Sequence, residues 1–224
     1  MSIQAILFDL DNTLYPASCG LVPHVEQRIA RFVMEHMQVN EATALEMCQS
    51  YYVTYGTTLQ GLQTHFGVAE PEAFVNYIHD IAVEEFITPN PKLTEMLAEL
   101  PVRKIIFTNS VHDYAERVLE HMGIRDQFER IFDVRYFKLV GKPEPANYTH
   151  ILDWLELSGE EVMMIEDSAV NLLPAKALGM TTILVDETLA NPAGADYHVH
   201  NIIPALEIAR QLLAPAMSSV VTTS

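Results

Sequence analysis

Two spacings of apolar residues divide the chain. Residues 3–8 are apolar except for Gln4, a short run that predicts a strand buried on both faces. The spacing then lengthens to that of a helix. Residues 21–39 carry Val22, Val25, Ile29, Phe32, Val33 and Met37 on one face, with Pro23 near the start. Asn40 is placed to N-cap a second helix bearing Leu45, Cys48, Tyr52 and Tyr55, which Gly56 stops. Residues 57–67 read as a loop or short helix. Residues 71–85 read as another amphipathic helix through Phe74, Ile78 and Ile81.

From Pro89 the two spacings alternate. Helices are predicted over 91–100, 111–122, 144–157 and 202–213, with a short one over 174–178 that has Pro174 in its first turn. Strands are predicted over 104–108, 131–134, 162–165 and 182–185, and an edge strand over 197–199. Such alternation implies right-handed βαβ units. The fold class is therefore α/β: a doubly wound, Rossmann-like parallel sheet whose first strand is followed by an all-helical insert. The boundaries place the core in 1–16 and 89–213, the insert in 17–88, and a disordered tail in 214–224.

Composition narrows the function classes. Apolar residues make up 49% of the 224 and charged residues 19%, enough for a sizeable core. The net charge of −17 disfavours nucleic-acid polymers and anionic membranes as partners. It does not disfavour small anions, since one metal ion and one lysine can reverse the potential inside a pocket. Cys19 and Cys48 have no metal-ligand spacing and do not make a disulfide framework. No signal-peptide pattern and no membrane-length apolar run are visible, so the expectation is a cytoplasmic protein.

The chemistry collects where strands end. Asp9 and Asp11 follow the first strand two residues apart, so both leave it on the same side. Two anions held that close call for a cation or a shared proton. The second strand runs into Thr108, Asn109 and Ser110. Lys142 lies in Gly141-Lys142-Pro143, and the strand over 162–165 runs into Glu166, Asp167 and Ser168, with Asn171 close behind. Each piece alone has an ordinary structural reading as a turn-former, helix cap or solvated lysine. All four at the same end of one parallel sheet assemble hard oxygen ligands, phosphate-binding donors and a fixed cation.

This ordered set resembles the haloacid dehalogenase-like (HAD) phosphohydrolases. Their D-x-D-x-T motif is matched by Asp9-Leu10-Asp11-Asn12-Thr13, and the strand-end Thr by Thr108. Lys142 matches their lysine and Glu166-Asp167 their acidic pair. The insert resembles the family's helical C1 cap. The stretch Asp9 to Pro16, together with Tyr51-Tyr52, Tyr55-Gly56 and Gly61-Leu62, is similar to the pyrimidine 5′-nucleotidase branch. The resemblance implies Asp9 as nucleophile, forming an aspartyl-phosphate, and Asp11 as acid and base. It implies Mg²⁺ on Asp9, the backbone carbonyl of Asp11, and Asp167. Thr108, the Asn109 N–H and Lys142 would bind phosphate; Glu166 would orient metal-bound water, and Asn171 would position Lys142. It also implies a cap hinged near Pro16–Gly20 and Thr88–Pro91. Tyr15, Tyr55 and Thr57 are candidates for substrate specificity. The implied substrate is a small phosphorylated metabolite, a pyrimidine nucleoside 5′-monophosphate such as UMP or CMP. The alternatives are a sugar or lysolipid phosphatase, a phosphomutase, or an inactive binding protein.

Overall fold

The computed structural model, which describes residues 2–67, 71–189 and 194–213, contains one all-parallel sheet. The predicted tail 214–224 lies outside the described residues. The strands are β1 (Ala5–Phe8), β2 (Arg103–Phe107), β3 (Arg130–Phe132), β4 (Val162–Glu166), β5 (Thr181–Val185) and β6 (Tyr197–Val199). Their order across the sheet is β3-β2-β1-β4-β5-β6, which puts β6 at an edge. The order reverses beside β1, and such a reversal opens the crevice where parallel α/β sheets bind ligands.

Alternation along β1 feeds both faces of the sheet. Ala5 and Leu7 join Ile105, Phe107, Tyr148 and Met164 on one side. Ile6 and Phe8 join Ile106, Met163, Ile165 and Leu206 on the other. A strand covered on both faces has no solvent side to mark with polar residues, hence the nearly unbroken apolar run.

Between β1 and β2 stand α1 (Leu21–Met37), α2 (Glu41–Tyr55), α3 (Thr58–Phe66) and α4 (Pro71–His79). Asn40 caps α2 by accepting from the Thr43 N–H, and Gly56 ends it in the left-handed region. Residues 57–67 resolve as helix, because the Thr57 side chain accepts from the Gln60 N–H and Gly67 closes the far end. The helix expected over 71–85 stops at His79. Arg117 donates to the carbonyls of His79 and Ile81, and Arg28 to that of Tyr77, so these last carbonyls are satisfied from outside the helix.

Later in the chain come α5 (Pro91–Ala98), α6 (His112–His121), α7 (Pro145–Leu155), α8 (Ala169–Ala177) and α9 (Ile202–Leu213). Here α8 corrects the expectation for 174–178. It begins at Ala169, directly after the acidic pair, and carries Pro174 in its interior. Sheet contacts hold the helix despite the lost N–H: Leu172 and Ala175 are buried in the core. No helix among the described residues is long and apolar enough to cross a membrane.

Candidate active site

The carboxyl ends of β1, β2 and β4 converge on one buried ammonium. Lys142 Nζ donates to Asp9 Oδ1 at 2.6 Å, Glu166 Oε2 at 2.6 Å and the Phe107 carbonyl at 2.8 Å. These three bonds use every proton it has. Its side chain is 1% exposed. Burial pulls its pKa down, but the facing carboxylates of Asp9 and Glu166 outweigh burial and hold it charged, above the ordinary lysine value. Asn109 fixes this lysine from the backbone side. Its Oδ1 accepts from the Lys142 N–H at 2.6 Å, and its Nδ2 donates to the Lys142 carbonyl at 3.1 Å.

Asp9 extends the sheet by donating its N–H to the Ile165 carbonyl, and its Oδ2 accepts from the Thr13 hydroxyl at 2.8 Å. Burial, then the charge of Glu166, pushes Asp9 up to about 7 against the pull of Lys142. Asp167 is pushed further, to about 10, by burial and by Glu166 and Asp9. Carboxylate oxygens of Asp9, Glu166 and Asp167 lie within 4.8 Å of one another. One ammonium does not balance three such groups, and hard oxygen donors in this number fit a divalent cation. A second sign points the same way. Asn12 donates to Asp167 Oδ2 at 3.4 Å, while its own Oδ1 is buried without a hydrogen-bond partner.

Asp11 is held apart from this cluster by hydroxyls. Its Oδ1 accepts from Tyr15 and, at 2.9 Å, from Tyr114; its Oδ2 accepts from Ser110 at 2.6 Å. Burial and the Asp11 charge push both phenols well above the ordinary tyrosine value, so they stay donors throughout the neutral range. Thr108 is 1% exposed; its hydroxyl accepts from the Ser110 N–H at 3.0 Å, which keeps its own proton available to donate.

The strand-end candidates Asp9, Thr108, Asn109, Lys142, Glu166 and Asp167 thus come together, with Asp11 alongside. Other expectations change. Tyr15, a specificity candidate, is 2% exposed and anchors Asp11 instead. Asn171 donates to Glu166 Oε1 at 3.1 Å rather than to the lysine, and the Ser168 N–H donates to the same oxygen. With Lys142 on Oε2, Glu166 is engaged in orienting the lysine. Tyr55 bonds His65 at 2.7 Å within the helical insert, and Thr57 caps α3. The insert's tyrosine that senses the acidic cluster is Tyr52. It is 56% exposed, yet burial and the charges of Asp167 and Glu166 push its phenol up. Ser110 enters the sequence reading only as part of the strand-end run after β2, and Tyr114 not at all; neither is expected to hold Asp11. No local signal marks them: Ser110 lies in the loop between β2 and α6, and Tyr114 in the first turn of α6.

A family model described as haloacid dehalogenase-like hydrolase matches residues 3–179. The chain is 26% identical over 195 residues to phosphate metabolism protein 8 of Saccharomyces cerevisiae. That match covers 81% of this chain but spans only 61% of the yeast protein's length. It is 25% identical over 193 residues to phosphoglycolate phosphatase of Neisseria gonorrhoeae, covering 81% of this chain and 79% of that one. Its fold is similar to that of the HAD hydrolase YfnB of Bacillus subtilis bound to magnesium. There the TM-score is 0.66 at 16% identity, over 96% of this chain and 100% of that one.

Proposed function

The chain belongs to the haloacid dehalogenase-like hydrolases, and from that premise we propose that it is a Mg²⁺-dependent phosphomonoester hydrolase working through an aspartyl-phosphate. The observation that carries this reading is the division of labour between two carboxylates two residues apart. Asp9 is bonded to Lys142 and Thr13 beside the acidic cluster, whereas Asp11 is bonded only by neutral hydroxyls.

In this reading a carboxylate oxygen of Asp9 attacks phosphorus as the bond to the leaving oxygen breaks. Asp11 gives its proton to the departing alkoxide. Asp11 then takes a proton from the water whose oxygen attacks the aspartyl-phosphate, releasing phosphate and restoring Asp9. Lys142 offsets charge on Asp9 and on the phosphoryl oxygens, and Thr108 with the Asn109 N–H binds those oxygens. Asp9, Asp167 and the Asp11 carbonyl would hold Mg²⁺, which supplies the positive charge that lets a phosphate dianion approach these carboxylates. Asp11 also sets the leaving group: a halide needs no proton, so a positioned acid favours phosphate esters. Residues 17–88 act as a cap over the mouth, excluding water when seated.

The substrate class rests on the branch resemblance, with Tyr52 at the rim to meet a base: a pyrimidine nucleoside 5′-monophosphate. The similarity to a phosphoglycolate phosphatase, which extends over 79% of that enzyme, supports a second reading, a small carboxylated or sugar phosphate. Turnover of p-nitrophenyl phosphate with Mg²⁺ and its loss in EDTA test the reaction. Asp9→Asn should abolish turnover in a folded protein; wild-type rates in that variant would refute the nucleophile. UMP and CMP against phosphoglycolate and sugar phosphates decide the substrate. Turnover of phosphoglycolate with none of UMP or CMP would overturn the nucleotide reading.

A further inference from the structure

Helix α6 touches two things of different kinds. On one side, the Tyr114 hydroxyl donates to Asp11 Oδ1 at 2.9 Å, beside the Tyr15 hydroxyl 3.4 Å away. On the other, the same tyrosine's ring lies against the ring of His79, with centroids 4.8 Å apart and planes inclined by 47°. His79 is the last residue of α4, where the cap returns to the core. One turn along α6, Arg117 donates to the carbonyls of His79 and Ile81. The end of the cap is therefore bound to α6 at two points three residues apart, which share a helix face, and one of those points reaches the acid/base carboxylate.

The contact is ordered. His79 is 6% exposed, and its Nδ1 is bonded to the Val75 carbonyl at 2.8 Å, which fixes its ring within α4. Behind the two rings lies a cleft of about 430 Å³ along the cap–core seam, lined by Asn76, Tyr77, His79, Asp113, Tyr114 and Arg117. Close-packed interiors transmit displacement, so a displacement of α4 at His79 would reach the Tyr114 ring.

We infer that Tyr114 is a positioning residue, which holds Asp11 through its hydroxyl and ties the orientation of that carboxylate to the seating of the cap through His79. The inference rests on the hydrolase reading above, in which Asp11 delivers a proton to the leaving group. Small misplacements of a reacting group are costly, so a cap that is unseated would leave Asp11 poorly aimed.

Tyr114→Phe removes the hydroxyl and keeps the ring against His79. Its kcat/KM for phenyl phosphate, a poor leaving group, should fall about tenfold, part of the 10²–10⁴-fold a general acid supplies. For p-nitrophenyl phosphate, whose leaving group departs without a proton, the change should stay below about twofold. His79→Leu, which fills the same buried space without the ring, should show the same leaving-group dependence. The double variant should be no worse than Tyr114→Phe alone, since both act through one contact. Equal losses on the two esters, or losses that multiply in the double variant, would overturn the inference, with melting curves identifying any variant that is merely unstable. If the wild type hydrolyses neither ester, the hydrolase reading fails; if it hydrolyses both and Tyr114→Phe is indifferent, only the positioning role fails.

Discussion

At the scale of the residue, Lys142 gathers two buried ion pairs onto one ammonium. It satisfies one buried carboxylate from β1 and another from β4, and its own charge is compensated by them. The net worth of such a buried network is small, because desolvation opposes attraction, but breaking it strands charges where water does not reach. Lys142→Met keeps the length and volume and removes the charge. Urea unfolding at neutral pH should show a loss of about 3–5 kcal/mol, and turnover should vanish. A loss under about 1 kcal/mol, the level of an exposed ion pair, would mean that the carboxylates find other partners. The lysine and the two acidic pairs were legible in the sequence, because strand ends collect at one rim of a parallel sheet. The hydroxyls of Tyr15, Ser110 and Tyr114 were not, because their common target, Asp11, is 99 and 103 residues from two of them. Nothing local marks a tyrosine as facing a carboxylate rather than a core.

Among elements, helices were legible where their ends are closed locally. Asn40 and Gly56 bracket α2 with bonds to residues three or four positions away. The end of α4 was misjudged because Arg28 and Arg117, which satisfy it, lie 49 to 36 residues off. The same α2 terminus also serves the site. Gly56 has φ +81°, and a Cβ there would lie 3.0 Å from the Lys142 carbonyl oxygen and 3.1 Å from Pro143 Cδ. Gly67, at the end of α3, is likewise left-handed at φ +59°, but a Cβ there meets nothing within 4 Å. Alanine at either position incurs about 1 kcal/mol of backbone strain. Only Gly56→Ala also pushes the end of α2 against the peptide that holds the buried Lys142. It should lower kcat several-fold where Gly67→Ala leaves it unchanged, with both variants losing a few degrees of Tm. Equal kcat in the two variants would separate the α2 terminus from catalysis.

Over the whole molecule, three carboxylates, those of Asp9, Glu166 and Asp167, share the mouth of the sheet with one ammonium, and this makes stability a function of both pH and metal. Without a cation, Asp9 and Asp167 keep their protons to about 7 and about 10, whereas in the unfolded chain they release them near 3.8. Between those limits the folded protein binds more protons than the unfolded one. The contribution of these two carboxyls to the stability of the metal-free protein therefore falls as pH rises, through both up to about 7 and through Asp167 alone from there to about 10. A divalent ion held by the same carboxylates replaces those protons, so its affinity rises with pH. Mg²⁺ bound there should stabilise only the folded state, by about 2.7 kcal/mol at a hundredfold excess over Kd. Melting in Mg²⁺ against EDTA should give a larger Tm increment at about pH 8 than at about pH 6, on either side of the Asp9 value of about 7. Asp167→Asn should raise the Tm of the metal-free protein at pH 8, since it removes a carboxyl that resists ionisation there, and should erase most of the Mg²⁺ increment. An increment that is the same at both pH values, or that survives in Asp167→Asn, would place the bound ion away from the three carboxylates at the ends of β1 and β4.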